Sequence, residues 1–335
     1  MKHLSLIAVA LTVPLAAMAQ TTVFSDNFTG GSTIQSATPG AGTASSADYE
    51  VFGSTAATSQ SIAANDLSFT SASGGSTLTE VDAQFGGSPV TLSTIGDYIN
   101  LQVTFVDTAN VMIAGMNSNS SLNIGLFNSG GVNLNQGQLL GTGGSITGGG
   151  SQTYQGYVSR LFMNGNASSY NRATQTLDGT TSRNQDLLFN NASSSAAFGA
   201  PNGTTTTSTF GTTTPLGNNV GLTAGQTYTI SYTISLTAAN AVKVTDELFS
   251  GSNTNGIALQ DNGGTSTSGA FLGSTFDSLA VGFRYASATA ATGTLDISDI
   301  NVIDSLSPVP EPTTLALSAL GGLGLLAVRR FKSRK

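Results

Sequence analysis

The chain has 335 residues, 41 of them glycine, with no cysteine, no tryptophan and a single histidine at position 3; its formal charge is −7. Disulfides, thiol nucleophiles and iron–sulfur clusters are therefore excluded, and beyond residue 3 so are Ser-His-Asp triads, His-ligated haem and His or Cys zinc sites. Between residues 20 and 307 only Arg160, Arg172, Arg183, Lys243 and Arg284 are basic, against seventeen acids, a balance that argues against nucleic acid as a partner.

The N-terminus reads as an export signal. Lys2 gives a positive start, Leu4 to Leu15 an apolar core, and Ala17-Met18-Ala19 an A-x-A cleavage site, so residues 1–19 form a signal peptide and the mature chain begins near Gln20. His3 is lost with it. What remains has neither histidine nor cysteine and must hold itself together by its core.

From residue 20 to 307 the periodicity is that of β-strands. Val23 to Phe28 opens the body. Ile99, Leu101, Val103 and Phe105 alternate with polar residues, as do Leu122, Ile124 and Leu126; Tyr228, Ile230, Tyr232, Ile234 and Leu236; and Leu279, Val281, Phe283 and Tyr285. Runs of Gly, Ser, Asn and Thr at Gly143–Ser151, Asn202–Thr214 and Gly251–Gly264 read as connecting loops. In the closing segment, residues 293–304, Leu295 and Ile297 share one phase and Ile300 and Val302 the other, which predicts a bulge near Ser298-Asp299. Half-buried strands with long polar loops predict an all-β fold, an antiparallel β-sandwich forming one large domain or two smaller ones. The opening Asp26-Asn27-Phe28 and the closing Asp299-Ile300-Asn301-Val302 resemble the ends of jelly-roll domains of the concanavalin-A-like and carbohydrate-binding group. That resemblance implies that first and last strands lie side by side.

Three constellations carry potential chemistry. Glu80-Val81-Asp82-Ala83-Gln84 resembles the E-x-D-x-E strand of laminarinase-type glycosidases, whose first and last acids act as nucleophile and general acid about 5 Å apart. Here the last position is Gln84, an amide that cannot protonate a leaving group, so the stretch reads as a solvated strand, and the absence of tryptophan removes the usual sugar platform. Tyr154, Tyr157 and Tyr170 offer stacking surfaces for a sugar or ordinary sheet packing. Second, Asp26, Asp296, Asp299 and Asp304 come together if the terminal strands pair, an oxygen-only set that would suit calcium without EF-hand spacing; turn-stabilising aspartates are the alternative. Third, Thr204–Thr207, Thr212–Thr214 and the alternating Thr227, Thr229 and Thr233 suggest either linker segments or a flat threonine face for ice or polysaccharide, although no fixed-period repeat supports a solenoid.

The last 28 residues read as a sorting tail, residues 308–335. Pro310-Glu311-Pro312 stays extended because each proline fixes φ and withholds a donor. Thr313 to Val328 is apolar enough for a short single transmembrane helix, and five of the final seven residues are basic, which places the C-terminus on the cytoplasmic side. Proline-flanked motif, short span and Arg-rich end resemble the PEP-CTERM sorting signal of Gram-negative bacteria. The resemblance implies that Pro310, Glu311 and Pro312 are read by an exosortase-type enzyme, with Arg329 and Arg330 as the stop signal. It further implies a transient stay in the inner membrane before delivery to the cell surface or an exopolysaccharide matrix. The composite expectation is a non-enzymatic surface or matrix protein with no cofactor other than a structural calcium. A glycan-active enzyme and a polysaccharide- or ice-binding module are the rival readings.

Overall fold

The computed structural model describes residues 19–29, 33–34, 48–53, 58–63, 65–71, 75–108, 121–131, 154–162, 167–172, 187–188, 209–212, 222–266, 271–287 and 293–306. Ala17, the sorting residues Pro310, Glu311 and Pro312, and Arg329 and Arg330 lie outside them. The described residues contain β1 (Ala19–Asp26), β2 (Thr33–Ile34), β3 (Asp48–Gly53), β4 (Thr58–Ala63), β5 (Asp66–Ser71), β6 (Gly75–Gln84), β7 (Val90–Thr91), β8 (Tyr98–Asp107) and β9 (Ser121–Asn128). They continue with β10 (Gln155–Phe162), β11 (Ala167–Arg172), β12 (Thr209–Thr212), β13 (Thr227–Ala238), β14 (Ala241–Ser250), β15 (Gln260–Ser266), β16 (Thr275–Phe276), β17 (Ser278–Ser287) and β18 (Gly293–Leu306).

Two sheets make an all-β sandwich. The first runs β15-β14-β13-β8-β18-β5-β4, with β1 also paired to β18; the second runs β12-β11-β10-β9-β17-β6-β3-β2, and β16 pairs β7 in a small ribbon. Among the described strands every pairing is antiparallel except β2 with β3. Alternation explains the layering. In β13, Ile230 stands opposite Val103 of β8 and Leu248 of β14, and Val103 stands opposite Ile300 of β18, so one row of apolar side chains crosses the first sheet. Val81, Ile124, Leu126, Leu279 and Val281 meet them from the second sheet, and all belong to one buried cluster. Each such side chain, taken fully out of water, contributes about 1.5–3 kcal/mol.

The bulge expected from the phase change in the last strand is present. The register of β18 against β8 shifts between Ile297 and Asp299, and the added residue lets Leu295, Ile297, Ile300 and Val302 all face inward, each fully buried. The terminal strands also pair as expected, antiparallel, from Ala19 opposite Leu306 to Asp26 opposite Ile300.

Two stretches expected to be loops contain strands. β12 falls within residues 202–214, and β15 begins inside residues 251–264. Both are edge strands, held by backbone hydrogen bonds that require no side-chain alternation. At Gly263 a glycine is what the pairing needs, because a Cβ there would lie 2.9 Å from Thr245 Cγ2 and 3.3 Å from the Val244 carbonyl oxygen.

Candidate functional site

The face of the second sheet turned away from the main core carries the Glu80–Gln84 stretch. Val81 and Ala83 point into the sandwich, so Glu80, Asp82 and Gln84 point to the other side. That side is not solvated, which corrects the sequence reading: Glu80 is 1% exposed and Asp82 not at all. The cause is a second apolar cluster on this face, formed by Phe127, Tyr154, Val158, Ala280 and the pair Leu187-Leu188. The Leu187 and Leu188 amides donate to the Glu80 carboxylate at 2.7 and 3.2 Å, and Gln84 Nε2 donates to Tyr154 Oη at 3.0 Å. Glu80 thus anchors a crossing segment. Its oxygens are spent on backbone amides, and the residue at the acid position is a hydrogen-bonded amide.

Two of the candidate stacking tyrosines are packed into the protein. Tyr154 and Tyr157 are fully buried, and Tyr157 Oη accepts from Leu272 N–H at 2.8 Å while donating to the Gly273 carbonyl at 3.0 Å. Neither offers a ring face to a ligand. Tyr170 lies on β11, opposite Val158.

The four aspartates go to three places. Asp26 sits between the sheets, accepting from Phe28 N–H at 2.8 Å and from Tyr49 Oη at 3.0 Å. Asp299 is close enough to feel it. Burial first, and the Asp26 carboxylate second, push the Asp299 carboxyl up to about 6, and burial with the same two acids raises Tyr49 well above the usual phenol range. Asp296 accepts from Ser68 Oγ at 2.6 Å and from the Thr108 hydroxyl. Asp304 is at the other end of β18, its carboxyl raised by burial and Asp97 and lowered by hydrogen bonds from Thr21. Pairing of the terminal strands therefore joins only Asp26 with Asp299, because the bulge and strand length send Asp296 and Asp304 elsewhere. Among the described residues no group of three or more Asp, Glu, His or Cys side chains is placed to hold a metal ion.

The other face of the first sheet carries a polar network most of whose members, Asn100, Thr104, Thr229 and Ser231, are buried. Here the polar halves of the alternating strands lie in register: Asn100, Gln102 and Thr104 of β8 beside Thr229, Ser231 and Thr233 of β13. Asn100 Nδ2 donates to Ser231 Oγ and to Thr233 Oγ1, both at 2.8 Å, and Gln102 Nε2 donates to Asn100 Oδ1 at 2.8 Å. Thr104 and Thr229 hydroxyls meet at 3.1 Å. At the β14–β15 margin the face ends in a shallow trough lined by Lys243, Thr245, Glu247, Asp261 and Gly263. Burial first, then Asp261, raises the Glu247 carboxyl, with Lys243 opposing. Thr229 and Thr233 do share a face, as their spacing suggested. The amide and hydroxyl partners that fill it were visible as the polar members of the same alternation, but sequence alone presents them as spacers.

Comparison with known proteins bears on the tail. Residues 308–330 match the PEP-CTERM protein-sorting motif, which implies processing by an exosortase and export to the cell surface. The motif begins two residues after the last residue of β18. No curated protein matches the chain. Among solved structures, the body is similar to peanut lectin with a nine-residue peptide, at 10% identity over 87% of this chain and 100% of that one, TM-score 0.36. It is also similar to arcelin-5, a lectin-like defense protein from Phaseolus vulgaris, at 11% identity over 86% and 99%, TM-score 0.38. A third is a PL-14 alginate lyase from Aplysia kurodai, at 11% identity over 75% and 87%, TM-score 0.38. The architecture of the body rests on its own strand pairings.

Proposed function

We propose that this protein is an exported, non-enzymatic surface or extracellular-matrix component, released from the inner membrane by tail processing, whose body associates with polysaccharide. The observation that carries the reading is the sorting motif at residues 308–330, set directly behind the final strand of the sandwich. The non-enzymatic part is supported by the Glu80 environment, where two backbone amides occupy the one carboxylate that the glycosidase resemblance would make a nucleophile. The polysaccharide part is supported by the trough at the β14–β15 margin, where the exposed Lys243 and Asp261 offer hydrogen-bonding groups to sugar hydroxyls.

Replacing Pro310, Glu311 and Pro312 together with alanine tests the sorting step. In a host with the processing enzyme, the variant should accumulate in the inner membrane with its tail attached. A variant that reaches the surface or the medium as efficiently as the parent refutes the reading. Glycan-array binding by the body, compared with Lys243→Ala and Asp261→Ala, tests the partner.

A further inference from the structure

The two ends of the body leave it side by side. Ala19 opens β1 and stands opposite Leu306, the last residue of β18. At the same end of the first sheet lie the 93–97 loop and the β13–β14 turn. Tyr98 is opposite both Ser305 and Ser235, Gly96 N–H donates to the Leu236 carbonyl at 2.9 Å, and Leu236 N–H donates to the Asp97 carbonyl at 2.9 Å.

Two properties distinguish this end. The tip of its loop is apolar, with Ile95 68% exposed. Among the described residues its exposed rim also carries no acid: residues 93–96 and 237–240 are Ser, Thr, Ile and Gly, then Thr, Ala, Ala and Asn. The acids nearby are turned inward. Asp97 is fully buried, its Oδ2 accepting from the Ser93 and Thr94 amides at 2.9 and 2.8 Å, and Asp304 is 7% exposed. In a body with seventeen acids and five bases, such a rim can approach an anionic bilayer without carboxylate repulsion.

Chain length keeps this end close to the membrane. Residues 307–312, six in all, separate Leu306 from the apolar run beginning at Thr313. Fully extended they reach about 20 Å, and the headgroup layer above the hydrocarbon takes up roughly 5–8 Å of that. The opposite end of the sheet carries the 251–259 loop with Ile257 92% exposed, beyond the ten residues of β14, which span about 33 Å. Only one end can touch the membrane.

We propose that before its tail is processed the protein rests on the bilayer with the 93–97 loop and the β13–β14 turn against the lipid headgroups, Ile95 foremost, and presents the Ile257 end outward. This rests on the reading of the tail as a membrane segment.

The absence of cysteine permits single-site labelling. The chain from Gln20 to Lys335, carrying Ile95→Cys or Ile257→Cys with an environment-sensitive fluorophore, is reconstituted into vesicles of phosphatidylcholine and phosphatidylglycerol containing a headgroup spin-labelled lipid. Quenching should remove roughly half of the emission at position 95 and little at position 257, given the headgroup depth. Asn240→Cys in the exposed turn gives the same readout should Ile95→Cys fail to fold. Equal quenching at both ends, or stronger quenching at 257, overturns the orientation. Failure of the chain to float with the vesicles overturns the tail reading itself, and the orientation with it.

Discussion

Replacing Asp299 with asparagine should stabilise the body at neutral pH and leave it unchanged in acid. Asp299 is held near the Asp26 carboxylate, and burial together with that charge raises it from 3.8 to about 6. The folded protein therefore binds more protons at this site than the unfolded chain does between those values. The site's stability is intact below pH 3.8 and is lost as pH rises through about 6. A shift of this size corresponds to about 3 kcal/mol for a group wholly removed from solvent. Asp299 is only half-buried, and hydration and screening reduce the effect to about 1 kcal/mol. For a body of this length that is about 2 °C in melting temperature. Asparagine retains the shape and removes the charge. Calorimetric melts of parent and variant should coincide near pH 4 and separate progressively to pH 7.5, the variant being higher. Because Asp66, Glu247 and Asp304 are also raised, only the difference between the two proteins is diagnostic. A separation that is constant with pH would show that neither burial nor the Asp26 charge penalises ionised Asp299.

Removing the Glu80 acceptor should matter for stability and not for catalysis. Glu80→Ala strands the Leu187 and Leu188 amides at a cost of about 1–3 kcal/mol in urea unfolding, whereas Glu80→Gln keeps one oxygen and should cost less. Neither parent nor variant should release reducing sugar from laminarin, xylan or alginate, and release abolished by Glu80→Gln would restore the enzymatic reading. Gly156→Ala places a Cβ 2.1 Å from the Leu126 carbonyl oxygen and 2.8 Å from Phe127 Cα, both backbone, so the urea midpoint should fall by the equivalent of about 1–3 kcal/mol or more. A chelator should leave the melting temperature unchanged, since two neighbouring carboxylates fall well short of the six to eight oxygens calcium takes; a drop that added calcium reverses would reinstate a site at Asp26 and Asp299.

The parts of the fold that were legible are those in which one face is buried and the other is not. β8, β13, β17 and β18 announce themselves by period two, and the bulge at Ser298 is visible because the apolar phase changes across it. β15 and β12 are not legible, because a glycine-rich edge strand is specified by its neighbour's backbone. Burial of Glu80 was hidden for another reason: its cover, Leu187, is 107 residues away. The aspartates show the limit of spacing arguments. Asp296, Asp299 and Asp304 are close along the chain, yet the bulge and the length of one strand separate them into different environments.

The position of β18 bears on when the body can fold. The last strand made is a central one, flanked by β8 on one side and by β5 and β1 on the other. A chain made from its N-terminus cannot close this sheet until residue 306 is available, so the first sheet is completed only at the end of the body. A prematurely terminated chain would lack the middle of its sheet and leave the apolar flanks of β8 and β5 open to proteolysis. The sorting motif is the next thing to emerge after that strand. Any chain long enough to carry the motif therefore also carries the strand that completes the first sheet.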